Sequence, residues 1–136
     1  MTKSYKQRVS LSERISESNR IITKHPAHIP VIIDIDEKFG TIQKNKFLVP
    51  GDVSASHLMI SIRNQIKCRK EEALFMFCDD TLICSTMLMS DLYSNYMNRK
   101  KQKDGDKFFY ITVHGENAFG SWKQSNENYS QYKWKK

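Results

Sequence analysis

No apolar run in these 136 residues approaches the roughly 20 needed to span a bilayer. The opening Met1-Thr2-Lys3-Ser4-Tyr5-Lys6 also lacks the apolar stretch of a secretory signal. A cytoplasmic protein is therefore expected. Cysteine is scarce: Cys68, Cys78 and Cys84 are odd in number and form no Cys-x-x-Cys, which argues against a zinc framework or a disulfide scaffold. His25, His28, His57 and His114 are scattered, and no nucleophile–base motif stands near them. No catalytic residue, metal or cofactor is expected, and the chain reads as a non-enzyme. Acidic residues are outnumbered, 15 against 22 lysines and arginines, for a formal charge of +7. The excess is concentrated in residues 99–107 and in 121–136, where four lysines face one glutamate. Such a balance suits nucleic acid, anionic lipid or acidic peptides. No base-stacking motif accompanies it, so nucleic acid is not the expected partner.

What is present reads as one domain. Residues 1–9 form a short helix or arm. Ser10-Leu11-Ser12-Glu13 fits a capping box, and Leu11, Ile15, Ser18 and Ile22 then share one helical face until His25-Pro26 ends the helix. His28–Ile35 is β-branched and nearly continuous, the pattern of a well-buried strand. Pro30 cannot donate to a ladder, so it belongs near a strand end or at an unpaired position. Residues 36–45 are a loop, Lys46–Pro50 a short strand and Gly51-Asp52 a turn. Ser54 or Ser56 caps a second long helix with Leu58, Met59, Ile62 and Ile66 on one face, ending near Cys68. Residues 73–78 are a strand and Asp79-Asp80-Thr81 its turn. Ser90-Asp91 opens a helix with Leu88, Met89, Leu92 and Tyr96 on one side; Arg99–Lys107 is a basic loop; Phe108–Val113 is the last strand.

Two strands, a long helix, a strand, a short helix and a closing strand describe an α+β fold, the ubiquitin-like β-grasp, with a mixed four-stranded sheet and an N-terminal helical extension. The expected division is residues 1–24 for the extension, 25–120 for the β-grasp domain and 121–136 for a cleavable or disordered tail. The closing strand runs out to Gly120, after which the chain turns polar and basic. A glycine carbonyl is unhindered and its backbone fits a narrow cleft. By itself Gly120 reads as a turn or domain-end residue, the usual reading of a lone glycine.

The sequence resembles the ubiquitin-like autophagy modifiers of the GABARAP type over about residues 4 to 120. The matching stretches are Glu13-Arg14, Glu17-Ser18, Arg20-Ile21, Ile29-Pro30-Val31-Ile32, Lys46-Phe47-Leu48-Val49-Pro50, Ile62-Arg63, Asp80-Thr81-Leu82, Leu88-Met89-Ser90 and Gly115-Glu116-Asn117-Ala118-Phe119-Gly120. The resemblance implies a modifier that a processing cysteine protease cuts after Gly120, with Phe119 as its apolar handle. Activating and conjugating enzymes of a lipidation pathway would then pass Gly120 to phosphatidylethanolamine on the autophagosome membrane. It also implies that cargo receptors bind through aromatic-x-x-aliphatic peptides added as a strand to an exposed edge.

Carried over residue by residue, the resemblance assigns Glu17, Ile21, Pro30, Ile32, Lys46, Leu48 and Phe108 to an aromatic pocket. It assigns Phe47, Val49, Pro50, Val53, Leu58 and Ile62 to an aliphatic one. Lys46 and Leu48 alternate with Phe47 and Val49 at period two, so the two sets lie on opposite faces of one strand. Lys46, Arg63 and the basic N-terminus would attract acidic residues flanking the peptide core. By spacing alone, Ile21, Ile32, Leu48 and Phe108 read as plain core residues. The chain departs from the family at Gln65, where a basic residue is frequent, in the longer basic loop 99–107, and in the 16-residue tail. The alternative is an unconjugated β-grasp peptide-binding adaptor that keeps its tail.

Overall fold

The computed structural model describes residues 4–35, 41–42, 44–67, 73–100 and 105–115. Phe119, Gly120, the tail and residues 101–104 of the basic loop lie outside these residues. In chain order the elements are α1 (Tyr5–Arg8), α2 (Leu11–Lys24), β1 (His28–Ile35), β2 (Thr41–Ile42), β3 (Lys46–Pro50), α3 (Ala55–Gln65), β4 (Ile66–Lys67), β5 (Leu74–Cys78), β6 (Thr81–Leu82), α4 (Met89–Arg99) and β7 (Phe109–Gly115).

β1 takes the span its β-branched run predicts. It sits inside a sheet of order β3-β1-β7-β5-β6, antiparallel to β3 and parallel to β7. The sheet has five strands, not the expected four. Asp79, at φ 54°, adopts the left-handed conformation that aspartate tolerates. The turn through Asp79-Asp80 is then tight enough to lay Thr81 opposite Cys78 and Leu82 opposite Phe77. Residues expected to lie in loops also pair elsewhere: Thr41 and Ile42 meet Lys67 and Ile66 in a separate two-stranded sheet, so α3 ends at Gln65 rather than near Cys68.

Pro30 shows how the register accommodates a missing donor. The Ile33 N–H donates to the Asn45 carbonyl at 2.8 Å, which makes the odd-numbered residues of β1 the ones bonded to β3. The nitrogen of residue 30 therefore points toward β7, where the register sets it against the Lys107 carbonyl. Proline supplies no hydrogen there, and the Tyr93 hydroxyl donates to that carbonyl at 2.6 Å instead. Formal β1–β7 pairing starts one residue later, at Val31 and Phe109.

The two faces of the sheet are covered differently. Ile29, Val31 and Ile33 of β1, Phe47 and Val49 of β3, Met76 of β5 and Phe109, Ile111 and Val113 of β7 form the main core with Leu58 and Ile62 of α3 and Met89 and Tyr96 of α4. On the opposite face Tyr5, Ile32 and Phe108 form a smaller cluster, against which Val9, Ile21 and Tyr110 pack. Leu11 was expected on the buried stripe of α2 but is 47% exposed, whereas Ser18 on the same stripe is fully buried. The Ser18 hydroxyl donates to the Ile15 carbonyl at 3.2 Å and accepts from the Lys107 N–H at 2.9 Å. A small polar residue at this point lets α2 approach the start of β7 closely. No helix among the described residues is long and apolar enough to cross a membrane.

Candidate peptide-binding site

β3 is an edge strand. Its odd-numbered residues bond to β1, so the main-chain groups of Lys46 and Leu48 point outward, as does the carbonyl of Pro50. The side chains alternate in step. Phe47 and Val49 are buried, while Lys46, Leu48 and Pro50 are exposed. An extended peptide can therefore find both hydrogen-bonding groups and an apolar surface at one place.

That surface is a groove of about 250 Å³ between α2, β1, β3 and the start of β7. Of the expected aromatic-pocket residues it brings together Ile21, Pro30, Lys46, Leu48 and Phe108. Ile32 is completely buried and lies beneath the groove, in the small cluster with Tyr5 and Phe108. Phe108, at 1% exposure, borders the groove and also fills that cluster. Leu48, by contrast, is 41% exposed and is no core residue. Glu17 stands behind the wall, where the Lys46 ammonium donates to its Oε1 at 2.7 Å. That bond holds the Glu17 carboxyl below the usual glutamate range and raises Lys46, and partial burial opposes both shifts.

Arg20, Lys24, His25 and Lys44 also border the groove and were not picked out from the sequence. With Lys46 they form a predominantly basic rim around an apolar floor. The available signal was the spacing of Arg20 and Lys24, one helical turn apart and flanking Ile21.

Of the expected aliphatic-pocket residues Phe47 also borders this groove, and the others lie away from it. Phe47, Val49, Leu58 and Ile62 belong to the main core, Val53 packs partly buried against it, and Pro50 is exposed. Leu58 and Ile62 are 2% and 0% exposed, so a side chain arriving at this face meets Val53 and Pro50 first. Arg63 is half-buried on α3, and Gln65 ends that helix. A second hollow, of about 460 Å³, lies at the opposite edge between β6 and α4, bordered by Leu82, Met87, Leu92 and Asn95. The strand there has only two residues and offers little edge to pair with.

The sequence model of a family described as "Autophagy protein Atg8 ubiquitin like" matches residues 13–120. The chain is 37% identical over 122 residues to Autophagy-related protein 8 of Mycosarcoma maydis, covering 88% of this chain and 98% of the relative. It is 39% identical over 123 residues to the protein of that name from Schizosaccharomyces pombe, covering 89% and 97%. Its structure is similar to the crystal structure of Trypanosoma brucei ATG8, with a TM-score of 0.71, 30% identity and coverage of 85% of this chain and 97% of that one. It is also similar to Plasmodium falciparum Atg8 in complex with an Atg3 peptide from the same organism, with a TM-score of 0.67, 27% identity and coverage of 82% and 95%. Ubiquitin-like fold, edge strand and sequence kinship agree, and the chain belongs to the Atg8 family of ubiquitin-like autophagy proteins.

Proposed function

We propose that this protein is a non-catalytic modifier, cut after Gly120 and coupled through that glycine to phosphatidylethanolamine on autophagic membranes. There it recruits cargo receptors carrying aromatic-x-x-aliphatic peptides. The observation that carries the recruiting role is the coincidence, at β3, of outward main-chain groups, an apolar floor and a basic rim. A peptide strand pairs with Lys46 and Leu48, its aromatic side chain enters the groove, and acidic residues beside the core face the rim cations. The Plasmodium complex supports an extension of the same chemistry to a conjugating enzyme that presents a peptide of its own.

The conjugating role rests on the family membership and on the Phe119-Gly120 sequence. Acyl transfer to an amine favours an unhindered terminal carbonyl, which glycine supplies. A two-chain lipid anchor then gives stable membrane residence, where a single chain is marginal. The intact mass of the protein from its native cells tests this role. The expected mass lacks residues 121–136 and, under starvation, gains that of phosphatidylethanolamine. A full-length, lipid-free mass under every condition overturns it.

The 16-residue tail and Gln65 favour a second role, an adaptor that keeps its tail and is never conjugated. Gly120→Ala separates the two. It abolishes membrane puncta if the protein is conjugated and changes nothing if it is an adaptor.

A further inference from the structure

α1 has only four residues, far too few to hold a helix by its own hydrogen bonds. Yet Tyr5 is 3% exposed, so tertiary contacts hold the segment in place. Those contacts converge on the back of the groove. The Tyr5 ring meets Phe108 edge-on at a centroid distance of 5.7 Å. Its hydroxyl donates to Glu17 Oε1 at 3.2 Å, the same oxygen that accepts from Lys46 Nζ at 2.7 Å. The Lys46 ammonium lies 5.2 Å from the centre of the Tyr5 ring, within cation–π range. Tyr5 itself does not border the groove, but it touches two residues that do, Phe108 and Lys46, and the carboxylate that holds Lys46.

We infer that Tyr5 is a positioning residue for the groove, and that docking of residues 4–9 and binding of a peptide are thermodynamically linked. With α1 docked, Phe108 is backed by a ring and Lys46 is held over that ring by Glu17. With α1 undocked, Phe108 loses its backing and Lys46 loses the aromatic face beneath it. A peptide that needs both in place selects the docked state. By linkage it must also stabilise docking by the factor that docking contributes to affinity.

This linkage rests on the peptide groove proposed above, and the experiment keeps the two apart. The probe is a synthetic peptide with a Trp-x-x-Leu core preceded by two aspartates. Its affinity is measured for the full chain and for the Tyr5→Ala and Tyr5→Phe variants. Amide exchange over residues 4–9 is followed with and without saturating peptide. Tyr5→Ala is expected to weaken binding about 5-fold, the lower end of typical coupling. Tyr5→Phe, which keeps the ring and loses only the hydroxyl, recovers most of that loss. In the parent, peptide slows exchange over residues 4–9. A parent that binds, with affinity unchanged in both variants and exchange unmoved by peptide, overturns the linkage alone. A parent that does not bind overturns the groove and the linkage together.

Discussion

Arg14 and Asp106 stand 92 positions apart in sequence, and Arg14 Nη1 lies 2.7 Å from Asp106 Oδ2. The carboxylate is 2% exposed. It also accepts the Tyr110 hydroxyl at 2.6 Å and the Phe108 N–H at 3.3 Å, with Lys100 Nζ 3.9 Å away. One buried anion thus ties α2 to the start of β7, the segment that delivers Phe108 to the groove. Among the described residues, Arg14→Ala leaves that anion with only the more distant Lys100. The expected loss is about 3 kcal/mol, the lower part of the range for a buried pair stripped of one partner. Urea unfolding of the parent and the variant measures it, and a loss below 1 kcal/mol removes Asp106 as an anchor.

Leu48→Ala should weaken a Trp-x-x-Leu peptide about 10-fold, which corresponds to the partial burial of one leucine side chain. Leu82→Ala is the control. It removes a comparably exposed leucine, 48% accessible, from the opposite edge of the sheet. Fluorescence anisotropy with a labelled peptide compares the two, and equal effects displace the site from β3.

The Glu17–Lys46 pair carries a pH signature. The hydrogen bond from Lys46 depresses the Glu17 carboxyl in the folded protein, against partial burial that raises it. A depressed carboxyl contributes stability above its unfolded pKa, about 4.3, and that contribution is lost as the pH falls through the lower folded value. NMR titration of the Glu17 side-chain carbon should therefore give a midpoint below the ordinary glutamate value, and Lys46→Met should move it upward. A midpoint that Lys46→Met leaves in place means that the ion pair does not persist in solution. Both side chains are partly solvated, so the effect on global stability is small.

Two of the thiols should separate cleanly. Burial raises Cys78 to about 11, while the exposed Cys84, 3.2 Å from the Thr86 hydroxyl, is lowered by that contact. In a Cys68→Ser background, iodoacetamide at pH 7.5 should add once to the native chain, at Cys84, and a second time only in denaturant. Peptide mapping that finds Cys78 modified first contradicts the packing of β5 against α4.

The parts of this fold that were legible in the sequence are those in which one force dominates. A run of β-branched residues has one good use, so β1 was bounded correctly, and the capped stripe of α2 located that helix. β6 escaped notice because two residues carry no periodicity and only the turn at Asp79 brings them back. Tyr5 sits in a helix too short to show a pattern. Asp106 reads as one more charge in a basic loop, although it is nearly completely buried. At the groove, the alternation of Lys46 and Leu48 with their neighbours was readable. The rim residues Arg20, Lys24, His25 and Lys44 were not, because a cation above a groove and a cation in open water look alike in sequence.

An edge that accepts a strand is also an edge that accepts the wrong one, and Pro50 bears on that hazard. Its nitrogen occupies one of the outward positions of β3 and carries no hydrogen, so the open ladder has two donors, at Lys46 and Leu48. If a second copy of β3 were laid antiparallel about Leu48, each Lys46 would face a Pro50 that cannot donate. Self-association along this edge would then build an incomplete ladder, with a donor missing at each end. The proline that ends the strand thus also guards a high local concentration of the protein against aggregation.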